Sequence, residues 1–158
     1  MCTKIANITN YKFMPMEYSD ITSVFEMNMS CLKTPWSLEN LQEEFHNSFA
    51  RYIVCKDKSS NILGFGGMWL VCGEGNITNI AVMPSHRREG IAQNIIKELF
   101  LICQKENTKD ITLEVRESNS QAIALYKKLG FKAEGTRLNF YANPTENGII
   151  MWKRNLIY

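Results

Sequence analysis

Histidine is scarce in this sequence, and its cysteines are too scattered for a metal site or a disulfide framework. The 158 residues include two histidines and five cysteines, and the cysteines occupy positions 2, 31, 55, 72 and 103. Zinc sites need closely spaced Cys or His ligands, and disulfide frameworks usually contain an even number of cysteines. We therefore expect no metal, and free thiols in a reducing compartment. Cys55 and Cys103 lie within apolar runs, so they are predicted to be buried.

No segment resembles a membrane anchor, a secretion signal or a nucleic-acid-binding surface. The longest uncharged run, residues 59–73, is too short and too rich in glycine to cross a bilayer. Residues 1–7 contain no apolar core of a signal peptide. The net charge is only +2 with scattered basic residues, whereas non-specific nucleic-acid binders usually concentrate positive charge on one face. The sequence thus predicts a cytoplasmic protein with no membrane partner and no direct nucleic-acid partner.

The sequence has no internal repeat, low-complexity stretch or Pro/Ser-rich linker that would mark a domain boundary. Its hydrophobic content of 45% and charged content of 22% are ordinary for a globular protein. A chain of this length can bury a sizeable core. We therefore expect residues 1–158 to form a single domain.

Hydrophobic periodicity predicts an α/β protein with the element order β-α-α-β-β-β-α-β-α-β-β. Strands are predicted at 11–16, 52–55, 62–71, 76–82, 110–116, 135–141 and 148–155. The first helix is expected to begin at Ser19 or Asp20 and the second at Ser37, because these side chains are good N-caps. Two later helices are predicted at 90–105 and 121–129, the last ending at Gly130. The strand–helix–strand step through 90–105 implies one parallel strand pair in a mostly antiparallel sheet.

A basic turn between a strand and an amphipathic helix, within residues 80–92, predicts an anion site. The helix after the turn has apolar residues at helical spacing, namely Ile91, Ile95, Leu99 and Ile102. Backbone N–H groups at such a helix start point to one spot at the positive end of the helix dipole, which suits phosphate or pyrophosphate. Gly90 and Ala92 permit close approach, and Arg87 and Arg88 add positive charge. The turn is neither a Walker loop nor a dinucleotide-binding turn. The alternative is an ordinary strand–turn–helix connection that binds no anion.

A second motif follows in the strand at 110–116 and the helix after it. Glu114 alternates with Leu113 and Val115, so it points away from their apolar layer. Asn119 stands at the strand-to-helix turn, where its amide caps the helix or holds the amide groups of a ligand. Tyr126 belongs to a helical apolar stripe, and its hydroxyl remains able to reach a polar partner. The alternatives are an ordinary surface glutamate, a plain helix cap and a packing tyrosine.

These motifs together resemble a known enzyme family. Residues 87–92, Arg-Arg-Glu-Gly-Ile-Ala, are similar to the Arg/Gln-x-x-Gly-x-Gly/Ala pyrophosphate loop of the GCN5-related N-acetyltransferases (GNAT). The stretches at 77–82, 113–119, 124–131, 35–37, 137–141 and 149–151 resemble the bacterial ribosomal-protein alanine N-acetyltransferases of the RimI type. The resemblance covers nearly the whole chain. It implies the GNAT fold, a mixed, mostly antiparallel twisted sheet of about seven strands flanked by about four helices.

The resemblance implies direct acetyl transfer from acetyl-CoA, as co-substrate, to a protein N-terminus in a ternary complex. The acceptor implied is the N-terminal alanine of a small-subunit ribosomal protein. Glu114 matches the general base of the family and Tyr126 its general acid. No cysteine occupies a motif position, which argues against an acetyl-enzyme. The residues implied in cofactor binding are Ile80, Ala81 and Val82 on the strand, Arg87, Arg88, Glu89, Gly90, Ile91, Ala92 and Gln93 at the turn, and Asn119 beside the pantetheine arm.

The chain departs from the family pattern on the acceptor side. Residues 137–141 are Arg-Leu-Asn-Phe-Tyr where the family usually has Arg-Arg/Asn-Tyr-Tyr, and Asn147-Gly148 replaces Asp-Ala. An acetyltransferase for a small amine, such as a polyamine, an antibiotic or a metabolite, is therefore the alternative function. A non-catalytic CoA-binding domain is a third interpretation. Trp36 and Tyr141 are candidate acceptor contacts beside a 142–148 lid, with plain packing as the alternative.

Overall fold

The computed structural model describes residues 10–156, and in this range the elements follow the predicted order. Two short 3₁₀ helices, Tyr18–Asp20 and Pro84–His86, are added to it. The strands and α-helices are β1 Lys12–Pro15, α1 Ile21–Cys31, α2 Leu38–His46, β2 Ala50–Lys56, β3 Ile62–Val71, β4 Glu74–Val82, α3 Ile91–Lys105, β5 Asp110–Arg116, α4 Ser120–Lys128, β6 Lys132–Tyr141 and β7 Glu146–Lys153.

The seven strands form one sheet in the order β1-β2-β3-β4-β5-β7-β6. The β4–β5 pair is parallel, with residues 74–77 opposite 110–113, as the strand–helix–strand step predicted. The β1–β2, β5–β7 and β6–β7 pairs are antiparallel. The mixed, mostly antiparallel sheet with four α-helices in the described range confirms the predicted fold class.

Contacts divide the chain into two compact units. The first unit comprises the described residues up to 67 together with 79–99, and the second comprises 68–78 together with the described residues from 100 onward. The division falls within β3, β4 and α3. The 87–93 loop belongs to the first unit, whereas β5, α4, β6 and β7 belong to the second.

The core of the first unit brings α1, α2 and the strands together through apolar side chains. Its buried cluster consists of Met16, Ile21, Val24, Met27, Leu41, Tyr52, Val54, Phe65 and Ala81. Helix α3 approaches β3 closely because β3 carries glycine at two facing positions. A Cβ at Gly64 would come within 2.8 Å of Ile91 Cγ2, and one at Gly66 within 2.6 Å of Ile95 Cγ2. These glycines therefore allow the first two turns of α3 to lie against β3.

The starts of the first two helices test the predicted caps. The Ser37 hydroxyl accepts the backbone N–H of Asn40 at 3.1 Å, which confirms the predicted cap of α2. Of the two caps predicted for α1, Ser19 or Asp20, the structure places Asp20 at the N-cap position, but the Asp20 side chain makes no cap bond to that helix. The Asp20 carboxylate instead accepts the Glu17 N–H at 3.0 Å and pairs with Lys56 Nζ at 2.7 Å. The chain enters α1 directly from the first 3₁₀ helix.

The second unit is organised by β5, which alternates as predicted. Its three apolar residues, Ile111, Leu113 and Val115, are buried, whereas Thr112 and Glu114 are partly exposed. Helix α4 has no fully buried residue, so the stripe that contains Tyr126 is only half-buried. The helix ends before Gly130 at φ +92°, the left-handed conformation expected after a helix. Cys55 in the first unit and Cys103 in the second are wholly buried, as predicted.

Both strands of the β6–β7 hairpin begin earlier than predicted. Strand β6 starts at Lys132 instead of residue 135, and β7 starts at Glu146 instead of residue 148. Almost every residue of β6 is exposed, so an apolar alternation could not mark its start. The pairing is irregular between Ala133 and Gly135 and again between Arg137 and Tyr141.

None of the helices in residues 10–156 has both the length and the apolar composition of a membrane span.

Candidate active site

The 87–93 loop presents backbone N–H groups at the start of α3. Arg88 and Gly90 adopt left-handed backbone conformations, with φ +67° and +81°. The first helical hydrogen bond runs from the Asn94 N–H to the Gly90 carbonyl at 3.0 Å, and the Asn94 side chain donates to the same oxygen at 3.0 Å. Within residues 10–156, no hydrogen bond uses the N–H groups of residues 88–93. These groups are the ones that an anion at a helix start would accept from.

The one acidic side chain of this loop is held by a distant tyrosine. The hydroxyl of Tyr11, just before β1, donates a hydrogen bond to the Glu89 carboxylate. This bond, helped by burial and the charge of Glu89, raises the pKa of Tyr11 to about 12. The contact joins residues 78 positions apart, so no local pattern indicated it.

The end of β4 is held by two side chains that contact the Val82 carbonyl. Arg87 Nε donates to it at 3.3 Å, and Cys31 Sγ of α1 donates at 3.8 Å. Both arginines are exposed, and Arg87 is partly directed back to the strand. No sequence pattern indicated a role for Cys31, but the structure places its thiol against Val82, one of the predicted cofactor-binding residues.

Trp36 is fixed through its backbone by Asn28, a wholly buried residue of α1. Asn28 Nδ2 donates to the Trp36 carbonyl at 2.7 Å, and the Trp36 N–H donates to Asn28 Oδ1 at 3.1 Å. The half-buried indole packs against the core cluster of the first unit. The packing interpretation of Trp36 is thus supported, and its contact with an acceptor stays a prediction.

Glu114 follows directly after the last parallel β4–β5 pair, Ile77 with Leu113. Its side chain is 20% exposed, and its Oε1 lies 3.4 Å from Arg137 Nη1 of β6. Strand pairing places Glu114 opposite Ile150 of β7. A carboxylate therefore remains accessible on the face of β5 opposite the apolar layer.

The charge of Glu114 acts on Tyr141, and Tyr141 in turn acts on Tyr126. Burial raises the pKa of Tyr141, and the charges of Glu114 and Glu146 raise it further while Arg116 lowers it. Burial raises the pKa of Tyr126 to about 12, with a further contribution from Tyr141. The Tyr126 hydroxyl is therefore protonated at neutral pH, and a general acid needs this form.

Asn119 caps α4, because its Oδ1 accepts the backbone N–H of Ala122 at 3.2 Å. The cap interpretation is thereby confirmed. A contact between Asn119 and the pantetheine arm stays a prediction.

Arg116 organises the turn of the β6–β7 hairpin, a role that sequence reasoning missed. Its guanidinium donates to the carbonyls of Ala142 and Pro144 at 3.0 and 3.1 Å and pairs with Glu146 at 2.8 Å. It also lies over the Tyr141 ring, 4.4 Å from the centroid. This pairing, with a hydrogen bond involving Ser118, lowers the pKa of Glu146 to about 2. Arg116 thereby fixes the segment that carries Tyr141.

Asn147, one of the two residues that replace Asp-Ala, joins the hairpin to the end of β5. Its Oδ1 accepts the Asn139 N–H at 3.0 Å, and its Nδ2 donates to Glu117 Oε2 at 3.2 Å. An aspartate at this position has no amide N–H to donate to Glu117. The departure therefore has a structural function in this chain.

No three or more of the described His, Cys, Asp and Glu side chains are grouped so that they would hold a metal ion.

Comparisons with known proteins agree with the resemblance. The Acetyltransferase (GNAT) family matches residues 21–131. A Bacillus subtilis (strain 168) protein, provisionally named a ribosomal protein bS18-alanine N-acetyltransferase, is 33% identical over 138 residues, which are 87% of this chain and 91% of the relative. The Haemophilus influenzae ribosomal protein bS18-alanine N-acetyltransferase is 31% identical over 140 residues, 86% of this chain and 93% of the relative. The crystal structure of the ribosomal-protein-S18-alanine N-acetyltransferase from Escherichia coli gives a TM-score of 0.85 at 25% identity, covering 94% of this chain and 96% of that chain.

Proposed function

Because the chain belongs to the GNAT family of acetyltransferases, we propose that it acetylates the N-terminal amino group of a protein with acetyl-CoA. The acceptor is the N-terminal alanine of ribosomal protein bS18. The names of this chain's relatives, which state bS18-alanine N-acetyltransferase, support this choice. The relatives align over 87% and 86% of this chain. The E. coli structure also confirms the GNAT fold that the sequence predicted.

The accessible carboxylate of Glu114, which lies 3.4 Å from Arg137 Nη1 and whose charge acts on Tyr141, is the observation that supports this chemistry most directly. An α-amino group has a pKa of about 7.7–8.0, so most of it is protonated at neutral pH and cannot attack a thioester. Glu114 receives that proton, directly or through one water, and the amine nitrogen then attacks the acetyl carbon. Tyr126, protonated at neutral pH, donates its proton to the departing CoA sulfur.

The cofactor is held by backbone groups. The N–H groups of 88–93 donate hydrogen bonds to the pyrophosphate at the start of α3, and Arg88 adds charge. Residues 80–82 pair with the pantetheine amides like a neighbouring strand, and Asn119 contacts the same arm. Oxyanion stabilisation falls to the Val82 N–H, since the N–H of Met83 already donates to the Leu63 carbonyl at 2.9 Å.

The two compact units work as a single N-acetyltransferase domain, because the family match at 21–131 includes residues of both. Transfer is direct, in a ternary complex, with no acetyl-enzyme and no metal. A ribosomal acceptor implies that the enzyme acts in the cytoplasm.

The test measures release of free CoA from acetyl-CoA with a panel of acceptors. The first is a peptide beginning Ala-Arg, matched by the same peptide with a blocked N-terminus. The second is a set of polyamines and aminoglycosides. Turnover on the free peptide alone is expected. Turnover only on the small amines would assign the chain to small-amine acetylation, and acetyl-CoA binding without turnover would make it a binding domain.

A further inference from the structure

Phe140 lies directly on the backbone of Gly148, across the β6–β7 hairpin. A Cβ at Gly148 would come within 3.0 Å of Phe140 Cδ1 and within 3.3 Å of its Cβ and Cγ. Alanine at this position therefore requires the phenyl ring to move. Phe140 and Gly148 are two of the acceptor-side positions where the chain departs from the family pattern. Because they contact each other, the two departures belong to one packing arrangement.

The face of Phe140 in turn supports Arg137. The guanidinium carbon of Arg137 lies 5.1 Å from the ring centroid, within cation–π range. Its Nη1 lies 3.4 Å from Glu114 Oε1. The Arg137 side chain is 55% exposed, and an exposed arginine held by one ion pair alone keeps much of its rotamer freedom. The ring supplies a second contact that restricts it.

An irregularity in β6 makes this contact possible. Residues three apart in a regular strand point to opposite faces of the sheet, so Arg137 and Phe140 would not meet there. The pairing of β6 with β7 shifts between Arg137 and Tyr141, and Asn139 adopts φ +52°. Asn147 holds this conformation by accepting the Asn139 N–H at 3.0 Å. The local bend brings side chains 137 and 140 together.

From this geometry we propose that Phe140, seated on Gly148, positions Arg137 against Glu114, and that Arg137 orients the carboxylate for proton removal. The inference rests on the proposed function, in which Glu114 is the base. Pairing through Oε1 leaves Oε2 to accept the proton of the acceptor ammonium. The guanidinium keeps its own protons throughout, since arginine does not deprotonate in proteins. Arg137 is therefore a positioning residue, and Gly148 and Phe140 act through it.

A double-variant cycle on Gly148 and Phe140 tests the first link. Gly148→Ala is expected to lower kcat for an Ala-Arg peptide about tenfold, because small displacements of a catalytic group cost large factors in rate. The KM for acetyl-CoA is expected to stay unchanged. In a Phe140→Ala background, Gly148→Ala is expected to have no further effect on kcat, since its effect passes through the ring. Additive effects of the two substitutions would overturn the proposal.

Gly135→Ala is the matched control in the same hairpin. A Cβ there would lie 3.5 Å from Ile150 Cδ1, an ordinary contact. This variant is expected to retain the wild-type kcat, and a loss equal to that of Gly148→Ala would contradict the proposed mechanism. Thermal unfolding of each variant checks that the comparison is made on folded protein.

Substitution of Arg137 itself tests the second link, and it keeps the proposal falsifiable if Gly148→Ala does not fold. Arg137→Met is expected to lower kcat by about the same factor as Gly148→Ala, and Arg137→Lys to restore part of the loss because it keeps the charge. Wild-type kcat in Arg137→Met would overturn the inference. Turnover of the peptide by the wild-type protein, and loss of that turnover in Glu114→Gln, test the proposed function independently of Arg137. Failure of the proposed function is therefore distinguishable from failure of this inference.

Discussion

The 87–93 loop and the β6–β7 hairpin both carry predicted site residues, but they are built in different ways. The loop depends on backbone conformation, with left-handed residues at 88 and 90 and N–H groups at a helix start. The hairpin depends on side chains, since Arg116 and Asn147 hold it through contacts between residues far apart in the sequence, and Phe140 packs on Gly148 across it. A short sequence motif therefore predicts a site built from backbone conformation, such as the loop. It does not predict the side-chain contacts that build the hairpin.

This difference predicts a separation in kinetics. Substitutions at β5, α4 and the hairpin are expected to change kcat or the use of the acceptor, and substitutions in the loop are expected to change the KM for acetyl-CoA.

Glu114→Gln is expected to have the largest effect. An amide cannot accept the ammonium proton, so kcat for the Ala-Arg peptide should fall by about 10²–10⁴-fold. The KM for acetyl-CoA should remain close to the wild-type value. Steady-state measurement of both constants checks this, with Glu26→Gln, an exposed residue of α1, as the control. Full turnover in Glu114→Gln would remove the proposed base.

Tyr126→Phe is expected to have the next largest effect, lowering kcat by about 10²-fold because the leaving thiolate loses its proton donor. Since the pKa of Tyr126 is about 12, the acid form persists through neutral and mildly alkaline pH. Ionisation of Tyr126 should therefore cause no fall in the wild-type kcat below pH 10. Tyr18→Phe, at a tyrosine that is 57% exposed, is the control. Equal rates in Tyr126→Phe and wild type would contradict the assigned role.

Gly90→Ala tests the role of the loop backbone in binding acetyl-CoA. Gly90 and Gly73 both have φ +81°. A Cβ at Gly73 would meet no atom within 4 Å, and a Cβ at Gly90 would meet no protein backbone. Alanine at either position should cost about 1–2 kcal/mol of folding free energy through backbone strain. Only Gly90→Ala should also raise the KM for acetyl-CoA, by about tenfold, since the pyrophosphate approaches that backbone. An equal rise in Gly73→Ala would show that strain alone is responsible.

Tyr11→Phe is expected to have a smaller effect on the same constant. The phenol holds the Glu89 carboxylate, and without it a negative charge is free to move toward the pyrophosphate. The KM for acetyl-CoA should therefore rise by a few-fold, about 1 kcal/mol, as expected for one lost hydrogen bond. Adding Glu89→Gln to Tyr11→Phe should reverse most of the rise. A persistent rise in the double variant would mean that Glu89 charge is not the cause.

The Arg116–Glu146 pair predicts an effect on stability instead of turnover. The pKa of Glu146 is lowered to about 2 from its ordinary 4.5, so the folded protein binds this proton less readily than the unfolded chain. The contribution of the carboxylate is complete above pH 4.5 and is lost as the pH falls toward 2. The difference in unfolding temperature between wild type and Glu146→Gln should be constant above pH 4.5 and should shrink below it. A difference that does not depend on pH would contradict this assignment.

The order of elements was predictable because each element buries one periodic apolar face, as in β5 with Ile111, Leu113 and Val115. The parallel β4–β5 pair followed from chain connectivity. The start of β6 was not predictable, because an exposed strand has no apolar alternation. The role of Asp20 was also missed, since its partner Lys56 lies in β2, at the other end of a tertiary contact.

The candidate site divides in the same way. Glu114 and Asn119 occupy the places that strand alternation and helix capping predicted. Tyr11, Asn28 and Arg116 were missed as supporting residues, because their partners are set by the tertiary fold. Arg116 lay inside a recognised motif, but nothing local indicated that it holds the turn at 142–146.

The position of the acetyl group on the product distinguishes N-terminal acetylation from side-chain or small-amine acetylation. An Ala-Arg peptide that also contains an internal lysine would be incubated with acetyl-CoA and the product sequenced by tandem mass spectrometry. The account predicts one acetyl group, on the α-amino nitrogen of the N-terminal alanine, and none on the lysine. Acetylation of the lysine instead, or an unmodified peptide in a preparation that acetylates spermidine, would contradict it.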